Sequence, residues 1–179
     1  LASVRAGNVI GGGDWAQDRL IPDIMKATSR GEHVIVRNPH ATRPWQHVLE
    51  PLSGYLHIGS KLLAGQKEFA DDWNFGPNND ESMLTVQDAV ELARNHWGTI
   101  KVAPAEKQNN IHEATRLKLD STKARLKCKW KNIWDTPTTF AKTIDWYKNY
   151  YQNAKIASTE NLHDYIRDAK QSAVEWSIR

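Results

Sequence analysis

Apolar and polar positions along the chain change period several times, and each change marks an element. Leu20, Ile21, Ile24, Met25 and Ala27 recur at helical spacing and predict a helix over residues 19–30, with Pro22 in its first turn and Gly31 as its stop. The β-branched run His33–Arg37 reads as a strand, followed by an Asn38-Pro39 turn and a second extended piece at 43–48. Leu52, Leu56 and Leu63, with Tyr55 and Ile58, predict one broad apolar face on a helix over 49–64. Residues 72–76 read as a strand closed by Gly76-Pro77. Ser82 or Thr85 is placed to cap a helix with the stripe Val86, Ala89, Val90, Ala93 and Trp97, and Asp88 stands three residues after Thr85. Strands are expected at 100–103 and 117–119, and a short helix from Ser121 to Leu126. Thr136 and Pro137 open a long helix over 136–151, and a separate terminal helix is expected at 158–175. At the start of the chain, residues 2–6 predict a short buried strand before a glycine-rich loop. Strands and helices alternate, which defines an α/β chain. The strands are too few and short for a complete sheet, and the chain opens inside one without Met, so a longer parent protein is expected.

Composition narrows the class. Of 179 residues, 40% are hydrophobic, 25% charged and 9% aromatic, an ordinary globular balance. No run approaches a membrane-spanning length, and no basic segment precedes an apolar one as in a signal peptide. The single cysteine, Cys128, forms no internal disulfide, which with the preceding points predicts a cytoplasmic protein. A net charge of +3 is too mild to imply nucleic acid. Residues 101–131 carry nine basic and three acidic side chains, which reads either as a nucleic-acid patch or as a solvated face that draws a small anion.

The glycines at 11–13 invite comparison with phosphate loops. A Walker loop needs Lys-Ser or Lys-Thr after its last glycine, whereas Asp14-Trp15 follows here, and the dinucleotide spacing fits poorly with a helix start near residue 19. A tight loop is the simpler reading. Asn8 stands at a strand end, where open α/β sheets face their ligand crevice, and its amide suits a phosphate or sugar oxygen as well as a turn. Arg19, Arg43 and Arg116 lie near apolar or aromatic residues, each either a solvated charge or a ligand contact, and Arg43, at the start of a strand-like piece, could meet a pyrophosphate bidentately. Tyr151 and Lys155 have acid–base spacing but sit in a polar, Tyr- and Lys-rich stretch, which favours coincidence. His33, His40 and His47 have no accompanying ligand motif, so no metal site is expected.

The order of the stretches VRAGNVIGGGDW, DRLIPDIMKA, HVIVRNPHATRPWQHVLEPLSGYL, WNFGP and TRLKLDSTKARLKCKWK resembles the carboxyl-terminal half of the extended short-chain dehydrogenase/reductase family, over residues 1 to about 150. The most specific stretch, RPWQHVLEPLSGYL, resembles the branch of nucleotide-sugar 4,6-dehydratases, with Pro44 where related dehydratases usually carry Asp. The resemblance implies an NAD-binding Rossmann-type α/β enzyme, of which this chain contributes the last sheet strands and a smaller mixed α/β substrate domain. It implies Rossmann remnants at 1–13 and 49–76, a sugar-nucleotide-binding domain at 14–48 and 77–152, and a helical tail at 153–179. The implied substrate is CDP-glucose, converted to its 4-keto-6-deoxy product by internal redox and loss of water for bacterial surface polysaccharide. Asn8, Arg19, Arg43 and Arg116 match substrate-binding positions, Val34 the strand lining the base, and Asn79 a looser loop position, while Ala6 would lie beside the nicotinamide. The catalytic Tyr-x-x-x-Lys pair and the NAD fingerprint of the family would lie upstream of Leu1, so the chain alone is expected to be inactive. Its implied partners are the amino-terminal half and further copies of the enzyme, with no nucleic acid and no membrane. The alternatives are an epimerase or reductase of the same superfamily, or a non-enzymatic nucleotide- or nucleic-acid-binding module.

Overall fold

A computed structural model describes residues 1–77, 83–104 and 119–178. In chain order the elements are β1 (Ser3–Ala6), β2 (Asn8–Ile10), α1 (Leu20–Ser29), β3 (His33–Val36), β4 (Thr42–His47) and α2 (Leu49–Leu63). They continue with β5 (Asp72–Phe75), β6 (Met83–Thr85), α3 (Val86–His96), β7 (Lys101–Pro104), α4 (Thr122–Cys128), α5 (Thr136–Asn153) and α6 (Ser158–Gln171). Single 3-10 turns cover Lys67–Phe69 and Glu175–Ser177.

Among the described residues the strands form three small sheets. β1 pairs with β5 in parallel, and β3 with β7 in parallel. β4 is central in the third sheet, parallel to β2 and antiparallel to β6. β2 lies where a loop was expected. At Gly7 the chain leaves β1, whose Ala6 pairs with Phe75, and Asn8 pairs at once with Trp45 of β4.

Two apolar clusters follow the same division. The larger packs Ile10, Ile24, Met25, Val36, Trp45, Val90, Trp97, Phe140, Ile144 and Trp146 between α1, α3, α5 and the strands. The smaller packs Ile58, Trp73, Phe75, Ala124, Cys128 and Trp130 between α2, β5 and α4. Gln46 spans the two, its Nε2 donating to the Phe75 carbonyl at 2.9 Å.

Several local signals act as their chemistry dictates. Thr85 and Asp88 form a reciprocal capping box at the start of α3. α5 is capped one residue earlier than expected, because Asp135, not Thr136, accepts the Thr138 N–H at 2.8 Å. Ser121 stands at the start of α4 but spends its hydroxyl on the Gly76 carbonyl at 3.1 Å, and Asp120 takes the Thr122 N–H instead. The strand expected at 117–119 falls mostly outside the described residues. Leu119 itself lies outside regular structure.

The largest departure from the sequence reading is α2. Its buried face is Glu50, Pro51, Gly54, His57 and Ile58, whereas Leu52, Leu56 and Leu63 are 41%, 75% and 92% exposed. The leucine stripe is real but turned away from both clusters. Beside α2, Ser3, Val4 and Arg5 of β1 are also exposed, on a strand whose hydrogen-bonded neighbour is β5 alone among the described residues. Parallel strands are normally buried on both faces.

Candidate functional site

Three of the candidate residues, Ala6, Asn8 and Arg43, lie where β1, β2 and β4 meet. Ala6 closes β1, half-buried, and Asn8 opens β2, half-buried, opposite Trp45. Arg43 lies two residues before Trp45 on β4. Asn8 and Arg43 therefore share one face of their sheet, because strand side chains alternate with period two. Arg43 is only 7% exposed and donates from Nη1 to the Thr42 carbonyl at 2.9 Å. A largely desolvated guanidinium interacts strongly with an anion that reaches it.

Arg19 occupies the residue before α1 and is exposed, with Nη1 held 3.1 Å from Asp14 Oδ2. It is joined to the end of β2 by the loop of residues 11–19. Val34 is buried in the larger cluster, and the outward positions of β3 are His33 and Ile35, the latter 64% exposed. A ligand lying along the outer face of β3 thus meets Ile35 and backbone groups before the Val34 side chain. Asn79 and Arg116 lie outside the described residues.

The glycine run is explained by packing. A Cβ on Gly12 would sit 2.1 Å from the Trp146 ring, and Gly13 has φ +83°. The Trp146 ring of α5 lies against Gly12, where only a residue without a side chain fits. Tyr151 and Lys155 do not form a helical pair. α5 ends at Asn153, Ala154 turns left-handed at φ 51°, and Lys155 pairs with Glu160 at 3.1 Å.

The sequence reading missed a second polar centre. Glu50, fully buried, accepts the Trp134 N–H at 2.8 Å on Oε1, and the Ile133 N–H at 3.0 Å and the Tyr165 hydroxyl at 2.9 Å on Oε2. Burial pushes its carboxyl up to about 7, against the pull of those three donors. Burial, with repulsion from Lys142, pushes nearby His47 down to about 4. His47 Nδ1 accepts the Leu49 N–H at 3.3 Å, which places the proton of the neutral ring on Nε2. The available signal was the placement of Glu50 four and eight residues before Gly54 and Ile58, on the buried side of α2.

Parallel strand pairs packed against helices define a mixed α/β fold. Solved structures agree. UDP-glucose 4-epimerase of Thermotoga maritima superposes with a TM-score of 0.68 at 20% identity, covering 84% of this chain and 47% of that one. A Bacillus cereus UDP-glucuronic acid 4-epimerase, solved with UDP-glucuronic acid and NAD, gives 0.65 at 13% over 83% and 45%. dTDP-glucose 4,6-dehydratase of Bacillus anthracis, solved with NAD, gives 0.65 at 21% over 84% and 46%. The fold is the Rossmann-type α/β fold of extended short-chain dehydrogenases/reductases that the sequence resemblance implied. In sequence, the chain is 44% identical over 168 residues to the CDP-glucose 4,6-dehydratase of Salmonella typhimurium, matching 93% of this chain and 46% of that protein. The chain thus spans about half the length of the curated relative it matches. No family model matches it. Among the described residues no helix is long and apolar enough to cross a membrane.

Proposed function

We propose that this chain is the sugar-nucleotide-binding half of a cytoplasmic CDP-glucose 4,6-dehydratase, a lyase that forms CDP-4-keto-6-deoxyglucose. The observation that carries the reading is the 44% identity across 93% of the chain. Arg43, with Arg116, holds the pyrophosphate, Asn8 bonds an oxygen beside it, and Arg19 adds a further contact to the anionic substrate. Charge-assisted, bidentate hydrogen bonds suit a guanidinium facing two anionic oxygens. The β3 strand borders the base, and Asn79 adds a contact from its loop.

The cofactor of this reading is NAD, which takes up and returns the hydride of the internal redox step. The fit to this chain is local. Ala6, small and half-buried at the carboxyl end of β1, suits the edge of a flat nicotinamide. The Gly11–Gly13 run does not suit a pyrophosphate, because Val48 packs against Gly11 and Trp146 against Gly12. The pyrophosphate cradle and the catalytic Tyr-Lys pair accordingly belong to an amino-terminal half. The outer edge of β1 and the leucine stripe of α2 are surfaces such a half would cover. The assembled enzyme is a homo-oligomer.

The test is to assay the purified chain, with NAD supplied, alone and mixed with the remaining half of the Salmonella relative. The chain alone should leave CDP-glucose unchanged, and the mixture should yield a product lighter by one water. Turnover by the chain alone would overturn the placement of the catalytic groups, and an epimerised product would overturn the dehydratase reading. In the assembled enzyme Arg43→Ala should weaken CDP-glucose binding by about 2–4 kcal/mol, roughly thirty- to a thousandfold, with NAD affinity unchanged. Arg43→Lys should recover only part of the loss, and titration calorimetry on both variants checks this.

A further inference from the structure

The loop that carries Arg19 is held by one side chain from a distant helix. Tyr147 of α5 is fully buried, and its hydroxyl brackets the backbone of a single residue. It accepts the Asp14 N–H at 3.0 Å and donates to the Asp14 carbonyl at 2.7 Å. Burial pushes the phenol well above its ordinary pKa, so the donor persists at any working pH. Backbone fixed in this way fixes the Asp14 carboxylate, because Oδ1 also accepts the Ala16 N–H at 3.0 Å. The other oxygen, Oδ2, is then aimed at Arg19 Nη1, 3.1 Å away. Arg19 keeps 64% of its side-chain surface exposed, so the guanidinium is held at one nitrogen and presented to solvent.

The surroundings reinforce the bracket. Trp15, next to Asp14, packs edge-on against the Tyr147 ring with centroids 5.4 Å apart, and Lys26 donates to its carbonyl at 2.6 Å. An isolated surface arginine samples many rotamers, and ordering one on binding costs affinity. A guanidinium already oriented avoids that cost.

We propose that Tyr147 is a positioning residue for ligand binding. Acting through Asp14, it sets the orientation in which Arg19 meets an anionic, phosphate-bearing ligand. The proposal rests on the reading of Arg19 as a substrate ligand and adds to it the residue that determines its geometry.

Tyr147→Phe keeps the ring and removes both hydrogen bonds. In this variant CDP-glucose, titrated into the assembled enzyme, should bind roughly three- to tenfold more weakly, the loss of about one hydrogen bond's preorganisation. Arg19→Gln should show at least as large a loss, and the double variant should lose no more than Arg19→Gln alone, a non-additivity that general destabilisation does not produce. The Arg19 side-chain N–H resonances of the 179-residue chain should also shift and exchange faster in Tyr147→Phe, without ligand. Unchanged Arg19 resonances, or additive losses in the double variant, overturn the positioning role. Should Arg19→Gln bind CDP-glucose like the parent, the substrate role of Arg19 fails. The resonance measurement then still decides whether Tyr147 orients it.

Discussion

His47 and Glu50 stand three residues apart, both buried, and they pull stability in opposite directions as pH changes. Glu50 is raised from 4.5 to about 7. The folded state therefore holds a proton that the unfolded state has lost, and stability falls as pH rises from about 4.5 to about 7. His47 is lowered from 6.5 to about 4. Here the unfolded state binds the extra proton, and stability rises over about pH 4 to 6.5. The two slopes oppose each other where they overlap, and the parent should be nearly flat between pH 5 and 6. Urea midpoints across pH 4–7.5 check this: Glu50→Gln should leave a rising limb and His47→Gln a falling one. Two flat variants would show that neither group is shifted in the folded chain. Neither shift is readable from residue type, because each arises from burial, and groups that meet these side chains, Trp134 and Tyr165 at Glu50 and Trp134 at His47, are remote in sequence.

At the scale of elements, local chemistry and packing can be separated by substitution. Thr85→Ala removes half of the α3 capping box and should cost about 1 kcal/mol, read as a lowered midpoint of thermal unfolding. Gly54→Ala tests the opposite case. Alanine favours a helix over glycine by roughly 0.5–1 kcal/mol, yet a Cβ there would sit 2.2 Å from the buried Phe75 ring. Overpacking should win, with a net loss of about 1–3 kcal/mol. A stabilised Gly54→Ala would mean that α2 stands off from β5. Helix caps and turn glycines are legible in sequence because partners within four residues satisfy them. The face a helix buries is not, and α2 shows why. Its leucine stripe and its Glu50–Gly54–Ile58 stripe are both regular, and the sheet behind it selected the second.

Across the whole molecule, the terminal segment joins parts that the two apolar clusters keep separate. Tyr165 of α6 donates to Glu50 of α2, while Asp164 pairs with Lys142 of α5 at 2.6 Å and Asp168 accepts from the Trp134 indole at 2.8 Å. Beyond α6, Glu175 pairs with Lys61 of α2 at 2.9 Å. Ending the chain after Asn153 should cost about 3–5 kcal/mol, from the lost burial of Tyr165 and Ala169 and the lost donor to Glu50. Denaturant unfolding of the truncated chain checks this, and an unchanged midpoint would mean that the tail only decorates the surface. From sequence alone, residues 153–179 offered a helix and no role for it. The sequence by itself determined the α/β alternation, the positions of most helices and strands, and the resemblance that singles out Asn8, Arg19 and Arg43, because periodicity, caps and ordered motifs are written in near neighbours. Only the tertiary structure decided that the glycine run is shaped by Trp146, that Tyr151 and Lys155 are unrelated, that Val34 faces the core, and that Glu50 anchors the tail. Each of these depends on contacts between residues roughly 30 to 130 positions apart, or on where a helix stops, and such contacts leave no local period to read.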